Sequence, residues 1–413
     1  MPNIIQKILS NKNGKQIIIL YISTIGGVLL GVLSSVINTK FLDPINYGDV
    51  RYVQNIINLF SCIFLLGFFV SGSRLLAISK SKAEASGIKG VMVIFLFRTI
   101  IALMLMVLLT YFYHTIFRKN TNALLFLVSI PVCAQPLMLN YINTTAQGDN
   151  QIGRIAYARL FPPFLYVVTA YFVYTSIKVS STLMILLQWG IACIIFIAII
   201  ASTHPDFKSY KKYKELLIQE NKQYGIHLYL GSLAMVATQY LPGVTLGMFN
   251  QDNVNVAFYT LALTISMPLS MLPSIVGTSY FKKFAVVRHI DKNIFISTIS
   301  ITLLSLIFFI LIIQEIVSFL YPASYSLVGT YASLLAISRC LYGIGDMINR
   351  FLGAHGLGKE IRNASFATGI CMVSGSLFAV YLYNIWGAIC TNIISAITYL
   401  IVLIYYYKKF QNE

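Results

Sequence analysis

The stretch IKGVMVIFLFRTIIALMLMVLL, Ile88–Leu109, decides the fold of this chain. About 20 apolar residues in succession are enough to cross the hydrocarbon core of a bilayer, and this run has that length with only Lys89 and Arg98 interrupting it. Lipid offers no water to unpaired amides, so such a run closes its backbone hydrogen bonds only as a helix. Runs of the same kind recur at Ile17–Ile37, Ile56–Ile78 and Asn384–Tyr405. Over 413 residues, 57% are hydrophobic and 10% are charged, with a mean hydropathy of +0.76. A soluble domain carries about 25% charged residues and has no way to hide this much apolar surface. The chain reads as an all-α, polytopic membrane protein of about twelve transmembrane helices. They are expected at 16–38, 52–78, 88–112, 122–146, 156–177, 181–202, 226–249, 256–280, 293–313, 327–349, 363–383 and 385–407.

The formal charge of +17 does not indicate nucleic acid, because binding needs a continuous basic face and the basic residues are scattered over short loops. They follow topology instead. Membrane proteins concentrate Lys and Arg in short cytoplasmic loops. Here 22 of the 30 basic residues fall on one side, in clusters such as Lys7, Lys12 and Lys15 or Lys208 to Lys222. Only Lys40, Arg51, Arg118, Lys119 and Lys178 fall on the other. Both termini are therefore expected in the cytoplasm, with an even number of spans. The first apolar run lacks a small-residue cleavage site and is expected to remain as an uncleaved span. Cys62, Cys133, Cys193, Cys340, Cys371 and Cys390 lie inside apolar segments without CxxC spacing, which indicates packing rather than disulfides or a metal. The chain carries no P-loop, catalytic triad, carboxylate pair or dinucleotide fingerprint, so no cofactor and no enzyme activity are expected.

The chain also repeats itself. Asp43 and Asn46 recur as Asp252 and Asn255 at an offset of 209, and Ala146, Gly148, Arg154 and Ala156 recur as Ala354, Gly356, Arg362 and Ala364 at 208. The matches suggest two halves of six spans in the same orientation. Residues 1–205 would form an N-terminal six-helix bundle and 226–413 a C-terminal one. Residues 206–225, a charged cytoplasmic stretch with a short surface helix, would link them. Parallel repeats of this kind hold a transporter's substrate between them.

Three arginines stand inside apolar runs: Arg74, Arg98 and Arg339. A charge at the bilayer centre costs at least about 2.5–3.5 kcal/mol and must face protein or water. A guanidinium stays charged and its fork of donors fits phosphate oxygens, so these residues are candidates for holding an anionic head group in a water-filled cavity. The competing reading is interhelical pairing, with snorkelling to the interface for Arg74. Asp346 lies seven residues after Arg339 and four before Arg350, which leaves open an i,i+4 ion pair or a protonatable site for ion coupling. Asp43, Asp49, Asp252 and Glu315 are expected in outer loops as solvated or helix-capping acids. Pro131, Pro136, Pro162, Pro163, Pro242, Pro268 and Pro273 should bend or break their helices. Amides such as Asn55, Gln239 and Asn392 suit interhelical hydrogen bonds or contacts with sugar hydroxyls.

Phe41-Leu42-Asp43-Pro44-Ile45-Asn46-Tyr47-Gly48 resembles the Leu-x-Pro-x-x-Tyr-Gly signature of polysaccharide transporters in the multidrug, oligosaccharidyl-lipid and polysaccharide exporter (MOP) superfamily. Gly67 to Arg74 followed by Ala77 looks like the Gly-to-Arg pattern that closes the second span there. Phe258 to Ala262 resembles the Tyr-x-x-Ala start of the eighth span, with Pro273 further along it. Asn384 to Ile389 is similar to the turn into the last span, departing from it at several positions. The likeness runs through almost the whole chain and is strongest to the O-antigen and capsular repeat-unit flippases. It implies two bundles forming a V-shaped central cavity, and alternating access that carries an undecaprenyl-diphosphate-linked oligosaccharide from the inner to the outer leaflet of the bacterial inner membrane. The partners it implies are that lipid-linked substrate, membrane lipids, and the polysaccharide polymerase and chain-length machinery; a proton or sodium gradient is the energy source to consider. Arg74 sits at a matching family position, whereas Arg98 and Arg339 rest on the charge argument. Two alternatives remain: a multidrug or organic-cation antiporter of the same superfamily, and a membrane glycosyltransferase or polymerase of the same pathway. The first would favour acids in the cavity, and the second a large outer loop.

Overall fold

Every apolar run singled out above is helical in the computed structural model, apart from a break at Leu65–Gly67; the structure describes residues 12–118 and 122–412. Lys7 and Lys119 of the charge count lie outside the described residues. Among those residues there are no strands, and nine helices are long and apolar enough to span a membrane, or ten with one bent pair. Two further features bring this to the twelve expected. Gly358–Asn412 runs for 55 residues but reverses at Asn384, whose φ is 51° and ψ −128°. Asn363 then donates to Tyr406 at 3.0 Å, Cys371 meets Thr398 at 3.4 Å and Gly375 packs on Thr391, which is the ladder of an antiparallel helical hairpin. The seventh span is split into Ile226–Val236, a 3-10 turn at Ala237–Tyr240 and Leu241–Phe249.

The breaks have local causes. Proline lacks an amide hydrogen and clashes with the preceding turn; Pro242 opens Leu241–Phe249, and Pro131 and Pro136 flank the change from Ala123–Ser129 through a 3-10 turn to Gln135–Gly148. Ile152–Ser176 runs unbroken through Pro162 and Pro163, as does Val254–Ser279 through Pro268 and Pro273. The second span breaks without proline. Pro44–Phe64 and Phe68–Ile78 meet at 57° across Leu65–Gly67, where Leu66 and Gly67 both have positive φ.

The chain forms two compact units. One comprises the described residues up to Phe41 together with Phe60–Leu230, the other Leu42–Leu59 together with everything from Gly231 onward. In the first unit Tyr166 donates to Asn38 and meets Tyr174 at 3.0 Å, tying the first and fifth spans. The charged stretch after the sixth span forms the helix Tyr210–Glu220 and a π-turn at Asn221–Gly225.

In the second unit the Tyr47-Gly48 signature is a packing corner. Tyr47 is fully buried edge-on to Tyr325. A Cβ on Gly48 would overlap the carbonyl oxygen of Asn253, and the Asn253 amide donates to Asp49 at 2.7 Å. Asp43 accepts from the backbone and side-chain amides of Asn46 at 2.9 and 2.6 Å and so caps its helix, while Asp252, just before the N-cap Asn253, accepts from the Val254 amide at 3.1 Å. Partial burial pushes the Asp43 carboxyl up, but the hydrogen bonds from Asn46 outweigh it and leave the group below the usual carboxylate range.

Candidate functional site

Arg339, Tyr342 and Asp346 share one face of the tenth span, Leu327–Ala354, at spacings of three and four residues. Glycine lets the neighbouring helices close around it. A Cβ on Gly343 would lie 2.7 Å from the Ser270 carbonyl, and one on Gly345 2.7 Å from the Tyr399 ring; small residues are what allow membrane helices this approach. The enclosed space is a polar cavity of about 120 Å³ lined by Gln239, Leu263, Ser270, Arg339, Tyr342, Asp346, Thr368, Met372 and Asn392, all within the second unit.

The polar groups in it are incompletely matched. The Arg339 Nε and the Asn392 Oδ1 are buried without a hydrogen-bond partner among the described residues, although the Asn392 amide donates to the Tyr259 hydroxyl at 3.0 Å. Leaving such a group unpaired costs roughly 1–3 kcal/mol, more when it is charged. Asp346 accepts a hydrogen bond from the Tyr399 hydroxyl at 3.1 Å, and that hydroxyl accepts from the Asn349 amide at 2.8 Å. Asp346 forms no ion pair with Arg350. The Arg350 stem instead lies along Gly277, which has no side chain to exclude it. The cavity has room for a few waters and is well below the roughly 300–1,000 Å³ of ordinary ligand pockets.

The other two arginines belong to the first unit. Arg74 pairs with Glu220 at 2.6 Å and lies over the Tyr224 ring at 4.7 Å, with half of its side chain exposed. Arg98 is exposed on the third span, Lys82–Tyr113, with its guanidinium 5.8 Å from the Phe95 ring centre and no carboxylate within ion-pair distance among the described residues. The structure thus brings Arg339 and Asp346 into one cavity of the second unit, while Arg74 and Arg98 belong to the first. Tyr342, Thr368, Ser270 and Tyr399 had no separate signal in the sequence, although projecting a helix from Arg339 to Asp346 places Tyr342 between them.

A further charged cluster gathers around Lys89 near the start of the third span. Lys89 is buried and ion-paired with Asp149, which also has Arg154 at 3.9 Å; Arg154 donates to the Ser202 carbonyl at 3.3 Å. Gly87 and Gly90 admit Tyr213 and the Asp206 backbone beside Lys89.

The architecture is that of a multi-pass membrane protein with the MOP superfamily fold. The chain aligns with the lipid II flippase MurJ in an inward closed conformation with a TM-score of 0.73 and 16% identity, over 95% of this chain and 87% of that one. An inward-facing multidrug resistance MATE family transporter gives 0.68 and 16%, over 96% and 99%. A MOP superfamily transporter from Pyrococcus furiosus, described as having a binding pocket of reverse polarity, gives 0.57 and 12%, over 95% and 94%. These are transporters and flippases, not enzymes. No curated protein matches the sequence. The polysaccharide biosynthesis protein family matches residues 14–281, and the chain belongs to that family.

Proposed function

We propose that the chain is a flippase for a polyprenyl-diphosphate-linked oligosaccharide, an O-antigen or capsule repeat unit, moved from the inner to the outer leaflet of a bacterial inner membrane. In this reading both termini are cytoplasmic. Residues 1–205 and 226–413 form two parallel six-helix bundles joined by 206–225, and a V-shaped cavity between the bundles opens alternately to each side. The observation that carries the reading is Arg339, a cation whose Nε is buried without a hydrogen-bond partner and which has no carboxylate within ion-pair distance among the described residues. A diphosphate supplies what it lacks, since charge-assisted hydrogen bonds from arginine to phosphate are about twice as strong as neutral ones. Membership of a polysaccharide biosynthesis family supports the oligosaccharide part.

Arg98 and Arg74 complete the proposed head-group set. Arg74 takes part only when its pair with Glu220 opens, which frees a guanidinium that is already half exposed. Asp346, held by Tyr399 instead of a cation, is the proposed proton or sodium coupling group. The polymerase and chain-length machinery of the same pathway would receive the product.

In cells lacking the protein, lipid-linked repeat units should accumulate on the cytoplasmic face, and Arg339→Ala or Arg98→Ala should restore no surface polysaccharide at normal protein level. Units that reach the outer face unpolymerised in the deletion, or full activity of both variants, would refute the proposal.

A further inference from the structure

The second unit carries an apolar groove of about 480 Å³ between the eighth span, Val254–Ser279, and the ninth, Lys292–Leu320. Leu272, Ile275 and Val276 form one wall, and Ile294, Ser297 and Ile301 the other. Two threonines in it add no free polar group, because Thr298 and Thr302 donate to the carbonyls of Ile294 and Thr298 at 2.7 Å. Along the helices the groove covers residues 272–280, about 13 Å at 1.5 Å per residue, close to the roughly 15 Å of half a hydrocarbon core. It is one leaflet deep. The ninth span leaves most of its apolar face uncovered, with only 17% of it buried.

At its lysine-rich end the groove runs into a second cavity, of about 550 Å³, lined by Lys283, His289, Asp291 and Lys292. Ile294 lines both, and Lys283 lies 5.8 Å from the ring centre of Tyr280, which lines the groove. The one acid there is engaged, since Asp291 caps the ninth span by accepting from the Asn293 amide at 2.9 Å. The positive end of that helix dipole points the same way. A one-leaflet apolar slot ending in lysines matches a single lipid with an anionic head, and basic pockets between spans bind such head groups.

We propose that this is a binding site for one anionic glycerophospholipid, with an acyl chain in the groove and its phosphate between Lys283 and Lys292. Native mass spectrometry of the full chain, released from nanodiscs of equal phosphatidylglycerol and phosphatidylcholine, tests it. One phosphatidylglycerol should be retained in preference to phosphatidylcholine. Lys283→Gln with Lys292→Gln, two exposed lysines whose loss leaves folding intact, should reduce that preference about 30-fold, the weight of two charges near the membrane surface. Ile301→Trp should fill the groove and abolish retention of both lipids. Equal retention of the two head groups by the native chain, or an unchanged preference in the double lysine variant, would overturn the site. Displacement of the phospholipid by added polyprenyl diphosphate would assign the groove to the transport substrate and overturn it equally.

Discussion

Gly67→Ala tests whether the stretch between the sixth and seventh spans holds the break in the second. Four contacts lock that break. The Asn221 amide donates to the Leu66 carbonyl at 3.1 Å, the Ser71 hydroxyl to the Asn221 Oδ1 at 3.0 Å and the Tyr229 hydroxyl to the Ile63 carbonyl at 2.6 Å, while Glu220 pairs with Arg74. Irregular backbone at membrane depth is tolerated only where its polar groups are satisfied in this way. Gly67 has a φ of 79°, and a Cβ on it would lie 2.6 Å from both the Asn221 Oδ1 and the Gly225 carbonyl carbon. The left-handed conformation costs a non-glycine residue about 1–2 kcal/mol, and forced overpacking about 1–3 kcal/mol. The substitution should therefore destabilise by about 2–5 kcal/mol, read as a lowered thermal midpoint of the purified protein in detergent. Gly31→Ala is the control, since nothing lies within 4 Å of its Cβ position; it should be neutral or stabilising by up to about 1 kcal/mol. Asn221→Ala removes one of the two obstacles, so the double variant should be less damaged than the sum of the singles, with a coupling of about 0.5–3 kcal/mol. A neutral Gly67→Ala, or strict additivity with Asn221→Ala, would refute the lock.

Asp149→Asn strands Lys89 in a buried site and should cost about 3–5 kcal/mol, measured as loss of thermal stability; a change within error would show that the pair is hydrated. Gly48→Ala drives a methyl into the Asn253 carbonyl and should abolish accumulation of folded protein, as followed by size-exclusion profiles of a fluorescent fusion. Asn384→Gly relieves an unfavourable φ of 51° at the hairpin turn and should raise the thermal midpoint by the equivalent of about 1 kcal/mol; a lowered midpoint would mean that the Asn384 side chain holds the turn.

The spans were legible because lipid leaves a chain so few options: length and apolar character alone locate a helix that must satisfy its own backbone. Breaks at Pro131, Pro136 and Pro242 were legible for the same local reason. The break at Leu65–Gly67 was not, because its partner Asn221 lies about 150 residues away and nothing near Gly67 marks it. Burial of Lys89 was hidden likewise. At the first turn of an apolar run it reads as a topogenic lysine at the membrane edge, and only folding brings Asp149 to it. At Asp346 the local rule pointed to Arg350 at i+4, but a tertiary partner won: Tyr399 arrives from the last span through the gap left by Gly345. The motif residues Tyr47, Gly48 and Gly387 were legible as a family likeness, and the structure explains them as close helix contacts.

The pairing of charges follows from scarcity. Against 30 basic residues the chain has 13 acids, and most of those described are already engaged. Asp43 and Asp291 cap helices, Asp252 accepts from the Val254 amide, Glu84 from the Lys80 amide and Asp206 from the Lys208 amide. Asp149 and Glu220 are taken by Lys89 and Arg74, and Asp346 is held by a tyrosine. Arg98 and Arg339 have no acid within ion-pair distance among the described residues. Had Arg339 been kept only for packing, an apolar side chain of similar volume would serve at lower cost, since even a well-paired buried ion is often outdone by such a replacement. A cation held at this expense makes sense when its counter-charge arrives from outside, and for a protein of this family the proposed diphosphate brings at least two negative charges to a site prepared with one unpaired guanidinium donor.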